Sequence, residues 1–132
     1  MPYAGTLYRV YFRDKLGADV NVAKNGDVPG IRSRNQVVIS TVPASGHAKP
    51  EQFQWQRVVG QCWAQDEEST AILCNRLRYF ALLSKRELAT VHKIVIVGEP
   101  GKFDDPDDTS PRFQMVFDTL FKTVPQSFSA AM

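Results

Sequence analysis

Apolar residues along the chain alternate with polar ones at two different spacings, and these divide it into strand-like and helix-like segments. Thr6 to Arg13 (TLYRVYFR) is aromatic and β-branched on both faces and predicts a strand with partners on each side. Asp14 to Ala18 supplies a turn around Gly17, and Asp19 to Ala23 (DVNVA) alternates, so the pair predicts an N-terminal hairpin. Gln36 to Val42 (QVVISTV) predicts a further strand, and Pro43 to Pro50 a loop, because Pro, Gly and Ser interrupt both periods. Gln52 to Trp63 returns as a strand. In it Gln52, Gln54 and Gln56 face one way and Phe53, Trp55 and Arg57 the other.

The middle of the chain supports two readings. Asp66 to Ser69 can cap a helix running from Ala71 to Leu83, with Leu73, Leu77, Phe80 and Ser84 on one face, yet Arg76 to Tyr79 also alternates like a strand. Leu88 to Val97 (LATVHKIVIV) predicts a strand, and Gly98 to Asp108 a polar loop. Ser110 to Val124 predicts a helix: Ser110 as N-cap, Pro111 in the first turn and Pro125 as the stop. Phe113, Val116, Phe117, Leu120, Phe121 and Val124 then form one broad apolar stripe that must cover a large surface, for which a sheet is the natural candidate. The tail, Gln126 to Met132, adds at most one short turn. The pattern is that of an α+β protein with an antiparallel sheet.

Composition narrows this picture. With 132 residues the chain is one domain, residues 1–132, and its 43% hydrophobic content can build a core. A chain of this size buries roughly two-thirds of its unfolded surface, so a dimer that shares core would help it. The 16 basic and 14 acidic residues leave a net charge of +2, so any nucleic-acid contact must come from local placement of Arg and Lys. No apolar run reaches the length of a membrane span, and the first residues lack the pattern of a signal peptide. A cytoplasmic origin with Cys62 and Cys74 initially reduced is expected.

The catalytic inventory is thin. His47 and His92 lack zinc-ligand spacing, so no metal is expected. Cys62 with His92 reads more simply as a half-buried cysteine than as a nucleophile and base. Gly98 to Lys102 lacks the spacing of a phosphate loop, and Asp104 to Asp108 lacks a calcium-loop pattern. No cofactor and no enzymatic activity are expected. Basic residues gather at Arg32 and Arg34 and again at Arg76, Arg78, Lys85 and Arg86. Clusters of this kind are either solvated faces or phosphate contacts. The glutamine row at 52, 54 and 56 could hydrogen-bond unstacked bases.

The order of elements resembles the coat proteins of single-stranded RNA bacteriophages, the leviviruses. Thr6 to Ala23 is similar to that family's first hairpin, Gln36 to Ala64 to its central hairpin, and Leu88 to Val97 with Ser110 to Met132 to its last strand and helical tail. The stretch from Asp66 to Glu87 is longer than the family's pattern. The resemblance implies a homodimer in which C-terminal helices cross onto the partner's sheet, with Phe113, Phe117, Leu120 and Phe121 at the dimer interface. It further implies assembly into an icosahedral virion shell made in the host cytoplasm, and RNA binding, including a repressor hairpin, on the inner sheet face. By strand parity that face would carry Gln54, Gln56, Arg78 and His92, with Ser40 and Thr90 beside them and Lys49 at the rim. Cys62 and Cys74 would stand where some members staple neighbouring subunits. The competing readings are a small intracellular or phage-encoded α+β protein-interaction module and a small α+β enzyme whose site the sequence does not reveal.

Overall fold

A computed structural model of the chain describes residues 4–24, 35–43, 53–102 and 112–122. The elements are α1 (Ala4–Leu16), β1 (Asn21–Lys24), β2 (Gln36–Pro43), β3 (Phe53–Trp63), α2 (Glu67–Glu87), β4 (Val91–Lys102) and β5 (Arg112–Lys122). The strands form one sheet in the order β1-β2-β3-β5-β4. β1 runs parallel to β2 and every other pairing is antiparallel, so the α+β class holds and the sheet is mixed. Both helices pack on the same face, where Tyr8, Phe12, Leu73, Leu77 and Ala81 meet Val22, Val37, Ile39, Val58, Met115, Phe117 and Phe121.

The expected N-terminal hairpin is not formed, because its first strand is helix α1. Ala4, Tyr8, Tyr11, Phe12 and Leu16 are buried at spacings of a helical face, while Val10, on the same strand parity as Tyr8 and Phe12, is 57% exposed. Gly17 ends the helix rather than turning a hairpin. Its φ of 90° is the left-handed C-cap conformation, and its N–H donates to the Arg13 carbonyl at 3.3 Å.

The stretch left open between helix and strand is helix α2. Asp66 caps it by accepting from the Ser69 N–H at 2.7 Å, and Glu67 and Glu68 at the start with Lys85 and Arg86 at the end complement the dipole. Its inner face carries Leu73, Cys74, Leu77, Ala81 and Ser84. Close approach to the sheet requires Gly60 beneath it: a Cβ there would lie 2.5 Å from Leu77 Cδ2.

The expected C-terminal helix from Ser110 is instead strand β5, as far as its residues are described. Phe113, Phe117 and Phe121 recur every fourth residue, a spacing that places them on one face of a helix and equally on one face of a strand. β5 lies between β3 and β4, so both its edges are paired, and both its faces carry apolar residues: Phe113, Phe117 and Phe121 under the helices, Val116 and Leu120 on the other side. That produced the breadth of the stripe. β4 also runs past Gly98 to Lys102, where a loop was expected, with register shifts at Val91/Lys93, Ile96/Gly98 and Gly98/Gly101 absorbing the irregular sequence.

Three buried hydroxyls tie the helices to the sheet. Tyr8 on α1 contacts Ser84 on α2 at 2.9 Å and Thr119 on β5 at 3.3 Å, and the Ser84 hydroxyl donates to the Ala81 carbonyl at 2.6 Å. Since the Ser84 proton goes to Ala81, Ser84 accepts from Tyr8, and Tyr8 in turn accepts from Thr119. Burial, opposed by these bonds, pushes the Tyr8 phenol above its ordinary pKa, so the group stays protonated and structural. Tyr8→Phe removes the centre of this relay and leaves buried Thr119 without it. The expected loss is about 1–2 kcal/mol in urea unfolding, with an unchanged far-ultraviolet circular dichroism spectrum.

Candidate functional site

Strand alternation gives the sheet two unlike faces. One lies under α1 and α2. The other carries Ser40 and Val42 from β2, Trp55, Arg57, Val59 and Gln61 from β3, Gln114, Val116, Asp118, Leu120 and Lys122 from β5, and Lys93 and Val95 from β4. The register sets these side chains in cross-strand rows. Trp55, Leu120 and Lys93 form one; Val42, Arg57, Asp118 and Val95 the next; Ser40, Val59 and Val116 a third. No described helix covers this face.

Its electrostatics centre on one ion pair. Arg57 grips Asp118 through Nε–Oδ1 at 2.7 Å and Nη2–Oδ2 at 3.0 Å. Asp118 is 0% exposed, whereas Arg57 keeps a third of its side chain in solvent. The carboxylate holds the guanidinium above its usual pKa through the hydrogen bond and then through charge. By alternation Arg112 and Lys122 also belong to this face, and Arg112 lies over the Trp63 ring at 5.7 Å. Among the described residues of β2 to β5, this face therefore gathers Arg57, Lys93, Arg112 and Lys122 against the single carboxylate of Asp118. Gln61 Nε2 donates to Gln114 Oε1 at 3.0 Å, leaving the Gln61 carbonyl and the Gln114 amide N–H groups pointing to further partners.

The residues expected to bind RNA are not brought onto one face. Gln56 stands opposite Thr119 and shares the alternation of Val58, Gly60 and Cys62, so it lies on the helix-covered side. Gln54 is on the same strand opposite Phe121. Arg78 is on α2, not a strand, and its guanidinium is tied to Glu99 by a pair of bonds, the Nη2–Oε2 one at 3.1 Å. Among the described members of the set, Ser40 alone lies squarely on the helix-free face, opposite Val59. His92 is exposed at the register shift between Val91 and Lys93, and Thr90 precedes β4, where its carbonyl accepts from the Lys122 N–H at 3.0 Å. Lys49 lies outside the described residues. The parity of β3 was read correctly but its inside and outside were exchanged. The glutamine row at its start outweighed Val58 and Cys62 further along, which share the glutamines' parity and are core. Trp55, Arg57, Lys93 and Lys122 were thereby missed as candidates.

The expected dimer stripe is used within the chain. Phe117 and Phe121 are fully buried, with the Tyr8 ring 5.0 Å and 6.5 Å from them, and Phe113 packs against the same core. Leu120 points to the opposite face, between Trp55 and Lys93. The expected inter-subunit staple also has no place here, since Cys62 on β3 and Cys74 on α2 are both buried in one chain and in hydrogen-bonding contact with each other. Burial, and then that contact, pushes the Cys62 thiol well up, which keeps it in the unreactive thiol form. Among the described residues no cluster of three His, Cys, Asp or Glu could hold a metal ion, and no helix is long and apolar enough to cross a membrane.

Arg57→Leu removes the guanidinium from the buried Asp118 carboxylate and is expected to cost about 2–3 kcal/mol, below the figure for a fully buried pair because Arg57 is partly solvated. Asp118→Asn keeps an acceptor for Arg57 and is expected to cost less in the same urea titration. Both thiols are expected to resist a thiol reagent until the chain opens. Ellman titration of the native protein then proceeds at the opening rate, and non-reducing gels show monomer bands.

No protein-family model matches the sequence, and no curated protein matches it significantly.

Proposed function

We propose that the chain is a non-catalytic binding subunit whose helix-free sheet face engages single-stranded RNA. The observation that carries this reading is the placement of Arg57, Lys93 and Lys122 beside Trp55, with Arg112 on the same face opposite Trp63 at the far end of β3, in a protein of near-neutral net charge. The partly buried Trp55 contributes ring surface on which an unpaired base can stack, Lys93 and Lys122 meet phosphates, and Ser40 with the Gln61–Gln114 pair offers donors and acceptors to base edges.

The coat-protein reading keeps one element here, a sheet face on which no described helix packs. The hairpin and C-terminal helix that suggested it correspond to α1 and β5 in this chain. A second reading, a protein-binding face, is favoured by Val42, Val59, Val95 and Val116, of which Val42 is 44% exposed.

Filter binding with single-stranded RNA tests the proposal. Trp55→Ala is expected to weaken binding by about 1–3 kcal/mol, and Lys93→Ala and Lys122→Ala each to lower the salt slope by about one. Unchanged affinity in all three variants, or no salt dependence in the wild type, rejects RNA binding on this face and leaves the protein-partner reading. Electron microscopy of RNA-bearing preparations separates a shell-forming coat subunit from a discrete RNA-binding oligomer.

A further inference from the structure

The outer surface of α2 has an order that a solvated helix face does not need. Of the large apolar residues exposed among those described, Ile72 (55%), Tyr79 (60%) and Leu82 (39%) lie on this one helix. With Glu68, Asn75 and Arg86 they recur at intervals of four, three, four, three and four, the spacing of a helix–helix seam. At about 100° per residue the six fall within an arc of about 80°. They lie opposite the buried line of Leu73, Leu77, Ala81 and Ser84, and all six are exposed.

The stripe is also self-complementary. Leu77 is the midpoint of α2, and a two-fold axis beside it pairs each stripe residue with another: Ile72 with Leu82, Asn75 with Tyr79, and Glu68 with Arg86. Antiparallel pairing thus sets apolar against apolar and acid against base, and it opposes the two helix dipoles. Parallel pairing would set Glu68 against Glu68 and Arg86 against Arg86. Asn75 Nδ2 already donates to the Ala71 carbonyl at 3.0 Å, which turns its Oδ1 into an acceptor suited to a tyrosine hydroxyl from the facing helix. Flanking charges are engaged within the chain, Glu67 with Lys102 and Arg78 with Glu99, so they need not be stripped from the seam.

We infer that two copies of the chain associate through the outer faces of their α2 helices, antiparallel and centred beside Leu77. The occupant of the stripe is a second copy because the charge order along α2 complements itself. The seam from Glu68 to Arg86 is about 27 Å long, which places the contact at the small end of specific interfaces, with a Kd on the order of micromolar. The contact lies on the opposite side of each chain from the helix-free sheet face. It leaves both of those faces outward and does not depend on what they bind.

Sedimentation equilibrium of the full chain, across roughly 1–200 μM, tests this inference. The wild type is expected to pass from monomer to dimer in that range. Leu82→Glu is expected to raise the Kd at least about tenfold with an unchanged circular dichroism spectrum, since Leu82 is outside the core. Glu68→Arg and Arg86→Glu, each alone, set like charges together and are expected to weaken the dimer several-fold. An equimolar mixture of the two restores both charge pairs and is expected to recover association. A wild type that stays monomeric at the highest concentration overturns the inference. So does a dimer indifferent to all three variants, or a mixture no tighter than its components.

Discussion

Tyr8 stands where α1, α2 and β5 meet. Its ring packs 5.4 Å from Phe12 and 5.0 Å from Phe117, while its hydroxyl is shared between Ser84 and Thr119. The phenol can be buried only if those two hydroxyls are in reach, because an orphaned buried O–H costs about as much as a single mutation usually removes. The requirement fixes α1 against α2 and both against the same face of the sheet. A second clamp at the helix ends agrees with it: Tyr11 donates to Glu87 at 2.7 Å, and Lys15 meets the same carboxylate oxygen at 2.8 Å. Those two contacts hold the Glu87 carboxyl below its usual pKa. With both helices committed to one side, no other described helix lies on the other, where Arg57 keeps a third of its side chain in solvent while Val38, Trp63 and Leu120 are buried.

The fold could be read from the sequence where local signals had a single solution. β2, β3 and most of β4 follow from alternation, whereas Asp66 and its acidic first turn left α2 beside a strand reading of Arg76 to Tyr79. It could not be read where two periods coincide. Residues four apart share a face in a helix and in a strand, so Tyr8 with Phe12, and Phe113 with Phe117 and Phe121, satisfied either. Two neighbours discriminate: Val10 is exposed between buried Tyr8 and Phe12 while Tyr11 is buried, which breaks strand alternation and fits a helical face, and Asp118 is buried beside Phe117, as the adjacent positions of a central strand are. Both facts depend on partners distant in sequence. The same holds for the site. The alternation of β3 identified its two faces, but which one the helices cover is set by α1, whose helical nature the alternation could not reveal.

On the proposed reading, the Arg57–Asp118 pair favours polar over apolar ligands on the sheet face. A bidentate guanidinium–carboxylate contact with one partner fully buried and the other partly wet is stable as it stands. Sealing that face under a second apolar layer would strip the remaining water from Arg57, a cost that apolar contact at Val59, Val95 and Val116 must exceed. A phosphate or base edge imposes no such cost, since it replaces water with another polar partner. The outer seam of α2 has the opposite character, because its middle is Ile, Asn, Tyr and Leu and its charges stand at the ends. Desolvating it displaces water mainly from apolar surface, and the Glu68 and Arg86 ends stay at a wet rim where they select register rather than supply affinity. In the two proposals the surfaces therefore take different tasks, the sheet face a charged ligand and the helix face another copy of the chain.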